Sequence, residues 1–221
     1  MIEDNSFGKE GFVMRIDMLI VSGFSGSGKG TILNRLLSSH PEFELIESYT
    51  TRQKRNESDF YSFVGLEDFL SLKDEGFFLE CNMYSGEWYG TPIIAVEKCI
   101  NSGKVAIVEV DSNGYSQIME SSLAKKIRIA SAFVVADADT IIDRLLRRNT
   151  ESLEKILTRI KTSIDECLQI SSYDFVLPNY DINESVAILK GVISGANFQP
   201  TDFDASEYIE RMKKILWLLD D

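Results

Sequence analysis

The chain has 221 residues, with 23 Lys and Arg against 35 Asp and Glu, for a formal charge of -12. Hydrophobic residues at 44% and charged residues at 26% supply a globular core and exclude wholesale disorder. The negative balance argues against nucleic acid as a partner, because a phosphate backbone repels such a surface, yet it leaves room for a small phosphate ligand in a local basic pocket.

No apolar run approaches the ~20 residues of a membrane-spanning helix, so no membrane association is expected. Residues 1–11 are acidic and polar, without the basic and apolar regions of a secretory leader. Cys81, Cys99 and Cys167 are odd in number and far apart, which fits neither a disulfide framework nor a zinc cluster. A cytoplasmic protein is the expectation.

Residues 1–15 lack periodicity and read as an N-terminal extension. Residues 18–21 form an apolar run that breaks at Ser22 and Gly23. After a stretch of small residues, Ile32, Leu33, Leu36 and Leu37 recur at helical spacing, so the opening predicts strand, glycine loop, helix. Residues 48–91 differ, being rich in Tyr, Phe, Ser and charge, with alternation at Tyr61 and Phe63 and at Phe77 and Leu79. They predict a small mixed insertion with short strands. Apolar runs at 105–110, 127–135 and 175–177 predict three further strands, and a helix is expected over 139–147. Continuous apolar strands alternating with helices indicate an α/β fold, a parallel sheet flanked by helices. Tyr208, Ile209, Met212, Ile215, Leu216 and Leu219 share one helical face, which predicts a C-terminal helical extension (193–221) docked on the core.

Gly23-Phe24-Ser25-Gly26-Ser27-Gly28-Lys29-Gly30-Thr31 contains the G-x-x-x-x-G-K core of a phosphate-binding loop. Its glycines let successive backbone N–H groups point into one cavity, and the following helix N-terminus adds positive potential. Lys29 is placed to reach the outer phosphates of a nucleoside triphosphate. Gly30 stands where a hydroxyl residue usually follows the lysine, with Thr31 one place later.

In the insertion, Ser48-Tyr49-Thr50-Thr51-Arg52 leads to Arg55, two arginines three apart that can clamp one phosphate. Phe60-Tyr61-Ser62-Phe63, Phe77-Phe78-Leu79-Glu80 and Tyr89-Gly90-Thr91 follow, then Glu109-Val110-Asp111-Ser112-Asn113-Gly114. Arg144, Arg148 and Arg159 come later, at four- and eleven-residue spacings, and Asp174 to Asn179 closes the set.

This ordered series resembles the guanylate kinases over roughly residues 17–189. The resemblance implies a P-loop kinase core (16–47 and 92–192), a GMP-binding insertion (48–91) and a helical lid at about 145–160. It implies Ser48, Glu80, Thr91 and Asp111 as guanine readers, and Arg52, Arg55, Tyr61 and Tyr89 as holders of the GMP phosphate. The loop from Gly23 to Thr31 would bind ATP together with Arg148 and Asn179. Lys29, Arg52, Arg144, Arg148 and Arg159 would neutralise the transferring phosphoryl group.

The base assignment also has a chemical logic: a carboxylate accepts from guanine N1–H and the 2-amino group together, while hydroxyls donate to O6. Mg2+ is the implied cofactor, with Asp111 and Glu109 touching it only through water. ATP and GMP are the implied partners, and the chain is expected as a monomer or homodimer. Two departures stand out: Lys54 replaces the family proline between the arginines, and the Arg55-to-Tyr61 connection is shorter than usual. The competing readings are a protein-binding module of guanylate-kinase type and a kinase of another small phosphorylated substrate. The intact Gly28-Lys29 disfavours the first. The Ser48, Glu80 and Thr91 set disfavours the second.

Overall fold

A computed structural model of the protein describes residues 16–54, 60–84, 86–147, 152–194 and 203–220. In chain order it contains β1 (Met18–Gly23), α1 (Lys29–Ser39), β2 (Phe43–Leu45), β3 (Ser48–Thr50), β4 (Tyr61–Phe63), α2 (Leu66–Asp74), β5 (Phe78–Tyr84), β6 (Glu87–Pro92) and α3 (Ile93–Asn101). There follow β7 (Val105–Glu109), α4 (Ser112–Glu120), β8 (Ile129–Val135), α5 (Ala138–Arg147), α6 (Leu153–Cys167), β9 (Phe175–Pro178), α7 (Ile182–Ile193) and α8 (Ala205–Asp220).

The core sheet has the order β2-β7-β1-β8-β9, and every pairing in it is parallel. All six residues of β1 are buried, which requires cover on both faces of the sheet. Met18 and Ile20 point into one apolar cluster with residues of α3, α4, α5, α6 and α8. Leu19 and Val21, on the alternate face, meet Ile32, Leu33 and Leu36 of α1 and Leu189, Val192 and Ile193 of α7. The four apolar runs expected to be strands are all strands of this sheet. The edge strand β2 was not among them, because three residues are too few to carry a periodicity.

Residues 48–92 supply a second sheet of order β4-β3-β6-β5, with β3–β4 parallel and the other pairings antiparallel. Phe77 lies just ahead of β5, and a register irregularity falls between Phe78 and Glu80, so the predicted alternation starts one residue early.

The C-terminal stripe docks as its spacing predicts. Tyr208, Met212 and Ile215 are buried, with Ile209, Leu216 and Leu219 partly buried against the same cluster. Among the described residues no helix is long and apolar enough to cross a membrane.

Candidate active site

The loop between β1 and α1 turns on glycine. Gly28 caps α1 at φ +92°, and a Cβ there would lie 2.4 Å from the Asn179 side-chain nitrogen, so both backbone shape and space demand its absence. Asn179, buried at the end of β9, donates to the Ser27 carbonyl at 2.7 Å. Arg144 of α5 donates to the Gly26 and Ser27 carbonyls at 3.0 and 3.1 Å. Arg159 of α6 donates to Ser25 Oγ at 2.7 Å. Lys29 Nζ donates to the carbonyls of Gly23 (2.6 Å) and Phe24 (3.3 Å). Arg144 and Asn179 therefore hold the loop through its carbonyls, and Arg159 holds it through the Ser25 hydroxyl.

Across the insertion sheet, strand register builds a row of side chains. Tyr61 pairs with Ser48 between β4 and β3, and Thr91 pairs with Glu80 between β6 and β5. Ser48 and Thr91 meet through their hydroxyls at 3.4 Å, and Thr91 Oγ1 donates to Glu80 Oε1 at 2.6 Å. A second row on the same face holds Phe63, Thr50, Tyr89 and Asn82. The Arg52 guanidinium lies over the Tyr61 ring, 5.4 Å from its centroid, and Tyr61 meets Tyr89 edge to face.

Asp111 closes the row from the core side. It caps α4, its Oδ1 accepting from Gly114 N (2.9 Å) and from Asn82 Nδ2 (2.7 Å). Gly114 is required here as well, since a Cβ would sit 2.8 Å from Glu80 Oε2. Glu80 is 4% exposed, and burial pushes its carboxyl up to about 7, with the Thr91 hydrogen bond acting in the opposite direction.

These parts face one cavity of about 940 Å³. The loop residues Gly23, Ser25, Gly26, Gly28, Lys29, Gly30 and Thr31 line one end. Ser48, Arg52, Tyr61, Glu80 and Tyr89 line the other, with Glu109, Asp111 and Arg159 along the wall. Thr91, Ser27, Arg144 and Asn179 are not in the lining; Thr91 bonds to Glu80, and Arg144 and Asn179 bond to the loop at Gly26 and Ser27. Arg55 and Arg148 lie outside the described residues.

Among the lining residues that the sequence did not mark are Asn82, Tyr84 and Glu166. Asn82 and Tyr84 had a signal, since they follow Glu80 at the two-residue period of a strand face. Glu166 had none beyond the buried stripe of Ile156, Ile160 and Ser163 on α6. Its Oε2 is buried, with no hydrogen-bond partner among the described residues, and burial pushes the carboxyl up to about 7 against the opposing pull of Lys29.

Glu166 gives a measurable pH dependence of stability. Below about pH 4.5 the acid is protonated in folded and unfolded chains alike; between there and about 7 only the unfolded chain gives up its proton, so stability falls as pH rises, then levels off. Glu166→Gln, which cannot ionise, is expected to gain on the native protein across that window, by on the order of 1–3 kcal/mol. Urea-unfolding midpoints of both proteins, measured across this range, check the sign and size.

A parallel sheet with a glycine loop at the end of its central strand, and a polar cavity beside it, defines the phosphate-loop class of nucleotide-binding α/β proteins. Comparison with known proteins narrows the class. The family model described as guanylate kinase matches residues 15–196. The guanylate kinase of Desulfitobacterium hafniense (strain Y51) is 35% identical over 180 residues, covering 80% of this chain and 88% of that protein. That of Prochlorococcus marinus subsp. pastoris (strain CCMP1986 / NIES-2087 / MED4) is 34% identical over 173 residues, covering 76% and 92%. The crystal structure of guanylate kinase from Anaplasma phagocytophilum shares the fold, with a TM-score of 0.64 at 24% identity over 83% of this chain and 87% of that one. The chain belongs to the guanylate kinase family.

Proposed function

We propose that this protein transfers the γ-phosphoryl group of ATP to GMP, giving ADP and GDP. The observation that carries the reading is the buried Ser48–Thr91–Glu80 row, set in the same cavity as the phosphate loop. Guanine suits that row, because ionised Glu80 accepts from N1–H and the 2-amino group, Ser48 donates to O6, and Asp111 stands beside the 2-amino side. Adenine would place a lone pair against the carboxylate and leave buried groups unpaired.

Arg52, with Arg55, Tyr61 and Tyr89, holds the GMP phosphate, and the loop from Gly23 to Thr31 cradles the phosphates of ATP. The bond from the β,γ-bridging oxygen to the γ-phosphorus breaks as a GMP phosphate oxygen attacks in line, with no covalent enzyme intermediate needed. Lys29, Arg148 and Arg159 spread positive charge over the transferring group. Arg144 acts through the loop carbonyls it holds. Closure of the 48–91 insertion and the 145–160 lid over the two nucleotides excludes water and suppresses hydrolysis.

Hard oxygen donors suit Mg2+, and Glu109 and Asp111 both line the cavity, so these two carboxylates fit the metal's water shell. Mg2+ bound with ATP would neutralise the donor phosphates.

A coupled assay offering ATP with GMP, AMP, CMP and UMP separately tests the reading, with turnover expected on GMP alone. Arg52→Ala is expected to weaken GMP binding by roughly 1.5–3 kcal/mol, the worth of a charge-assisted contact. Calorimetric titration with GMP measures this, and wild-type affinity would refute a phosphate-binding role for Arg52.

A further inference from the structure

The family match ends at residue 196, and α8 (Ala205–Asp220) lies beyond it. This added helix reaches the phosphate loop. The Tyr208 ring stacks on Phe24, the second residue of the loop, with centroids 4.3 Å apart and planes within 5°. Phe203 packs against both rings. Phe24 is fully buried, and its carbonyl is one of the two that accept from Lys29 Nζ.

The same helix grips two other elements that hold the loop. Arg211 pairs with Asp139 of α5 through two hydrogen bonds of 3.1 and 2.6 Å. Met212 and Ile215 pack into the cluster that contains Ile156 and Ile160 of α6, and Cys167 at the end of α6 bonds to the Ala205 carbonyl. Helices α5 and α6 carry Arg144 and Arg159, whose guanidinium groups bind the loop directly. One added helix thus touches the loop and both of the helices that support it.

We propose that Tyr208 is a positioning residue for phosphoryl transfer: its ring fixes Phe24 and so holds the phosphate loop in shape for ATP. The proposal rests on the assignment of ATP to that loop. Rigid backing matters there because loop N–H groups bind phosphate only while they converge, and a loop that must be ordered on binding loses affinity.

The test compares the native protein with Tyr208→Phe, which keeps the flat ring, and Tyr208→Leu, which keeps apolar bulk and loses it. Val192→Ala in α7, on the opposite face of the sheet, is the control for lowered stability alone. Tyr208→Leu is expected to raise the KM for ATP by roughly 2- to 10-fold, the range an aromatic pair can transmit, with the KM for GMP unchanged. Tyr208→Phe should restore the native value. Hydrogen exchange in the segment 24–28 should quicken in Tyr208→Leu alone. That readout needs no nucleotide, so it separates failure of this proposal from failure of the kinase assignment. Native exchange in that segment of Tyr208→Leu, or KM values for ATP and GMP that rise together there as in Val192→Ala, would overturn it.

Discussion

Alanine at Lys29 is expected to lower kcat by ~10²–10³-fold or more, the cost of removing one preorganised charge from a transferring group, while GMP binding survives. The expectation follows from where the two groups of contacts sit. Lys29 belongs to the loop, at one end of the cavity, and among the described residues its ammonium donates to the loop carbonyls of Gly23 and Phe24. Arg52, Tyr61 and Glu80 belong to the other sheet. Lys29→Arg should not rescue the variant, since a planar guanidinium is wider than an ammonium and cannot occupy the same narrow turn. Steady-state assay gives kcat, and calorimetric titration of the folded variant with GMP tests whether the sites are separate. Loss of GMP binding in a folded Lys29→Ala protein would refute the two-ended arrangement.

Glu80→Gln should cost roughly 10²–10⁴-fold in kcat/KM for GMP, because two charge-assisted hydrogen bonds are lost and an amide NH2 then opposes the guanine donors. The native protein should prefer GMP to IMP, which lacks the 2-amino group, and IMP to AMP. In Glu80→Gln that order should collapse, with the KM for ATP unchanged. Burial adds a pH signature. The Glu80 carboxyl is held up near 7, and only its ionised form can accept from both guanine donors. GMP affinity should therefore strengthen as pH rises through about 7, with release of a proton on binding. Calorimetry in buffers of different ionisation heat counts that proton. It should disappear in Glu80→Gln and persist in Glu166→Gln. Equal use of GMP and AMP by the native protein would refute the role of Glu80.

Parts of this site were legible in the sequence because their chemistry is local. A glycine loop needs only its own backbone and the helix that follows, so Gly23 to Thr31 could be read without knowing what surrounds them. The insertion was legible as a set of residues, through its resemblance to a family, but not as an arrangement. Ser48, Thr91 and Glu80 become neighbours only because β3, β6 and β5 pair in one register. A shift of one residue would turn each of them to the opposite face. Asn82 was findable by strand alternation. Glu166 was not, because Lys29 and Asp111 stand far from it in sequence and near it only in the fold.

Arg144 and Asn179 show the same limit from another side. The sequence marked them as part of the nucleotide machinery, and their contacts in the fold are with loop carbonyls. By itself the sequence determined the alternation of strand and helix, the phosphate loop and the apolar stripe of the last helix, since each depends on spacings of a few residues. The tertiary structure alone decided that Glu80 and Glu166 hold their protons to about 7, that Phe24 would meet Tyr208, and that both ends of the site share one cavity. Desolvation, aromatic stacking and the closing of a cavity all depend on residues that meet from distant parts of the chain, and no local pattern encodes them.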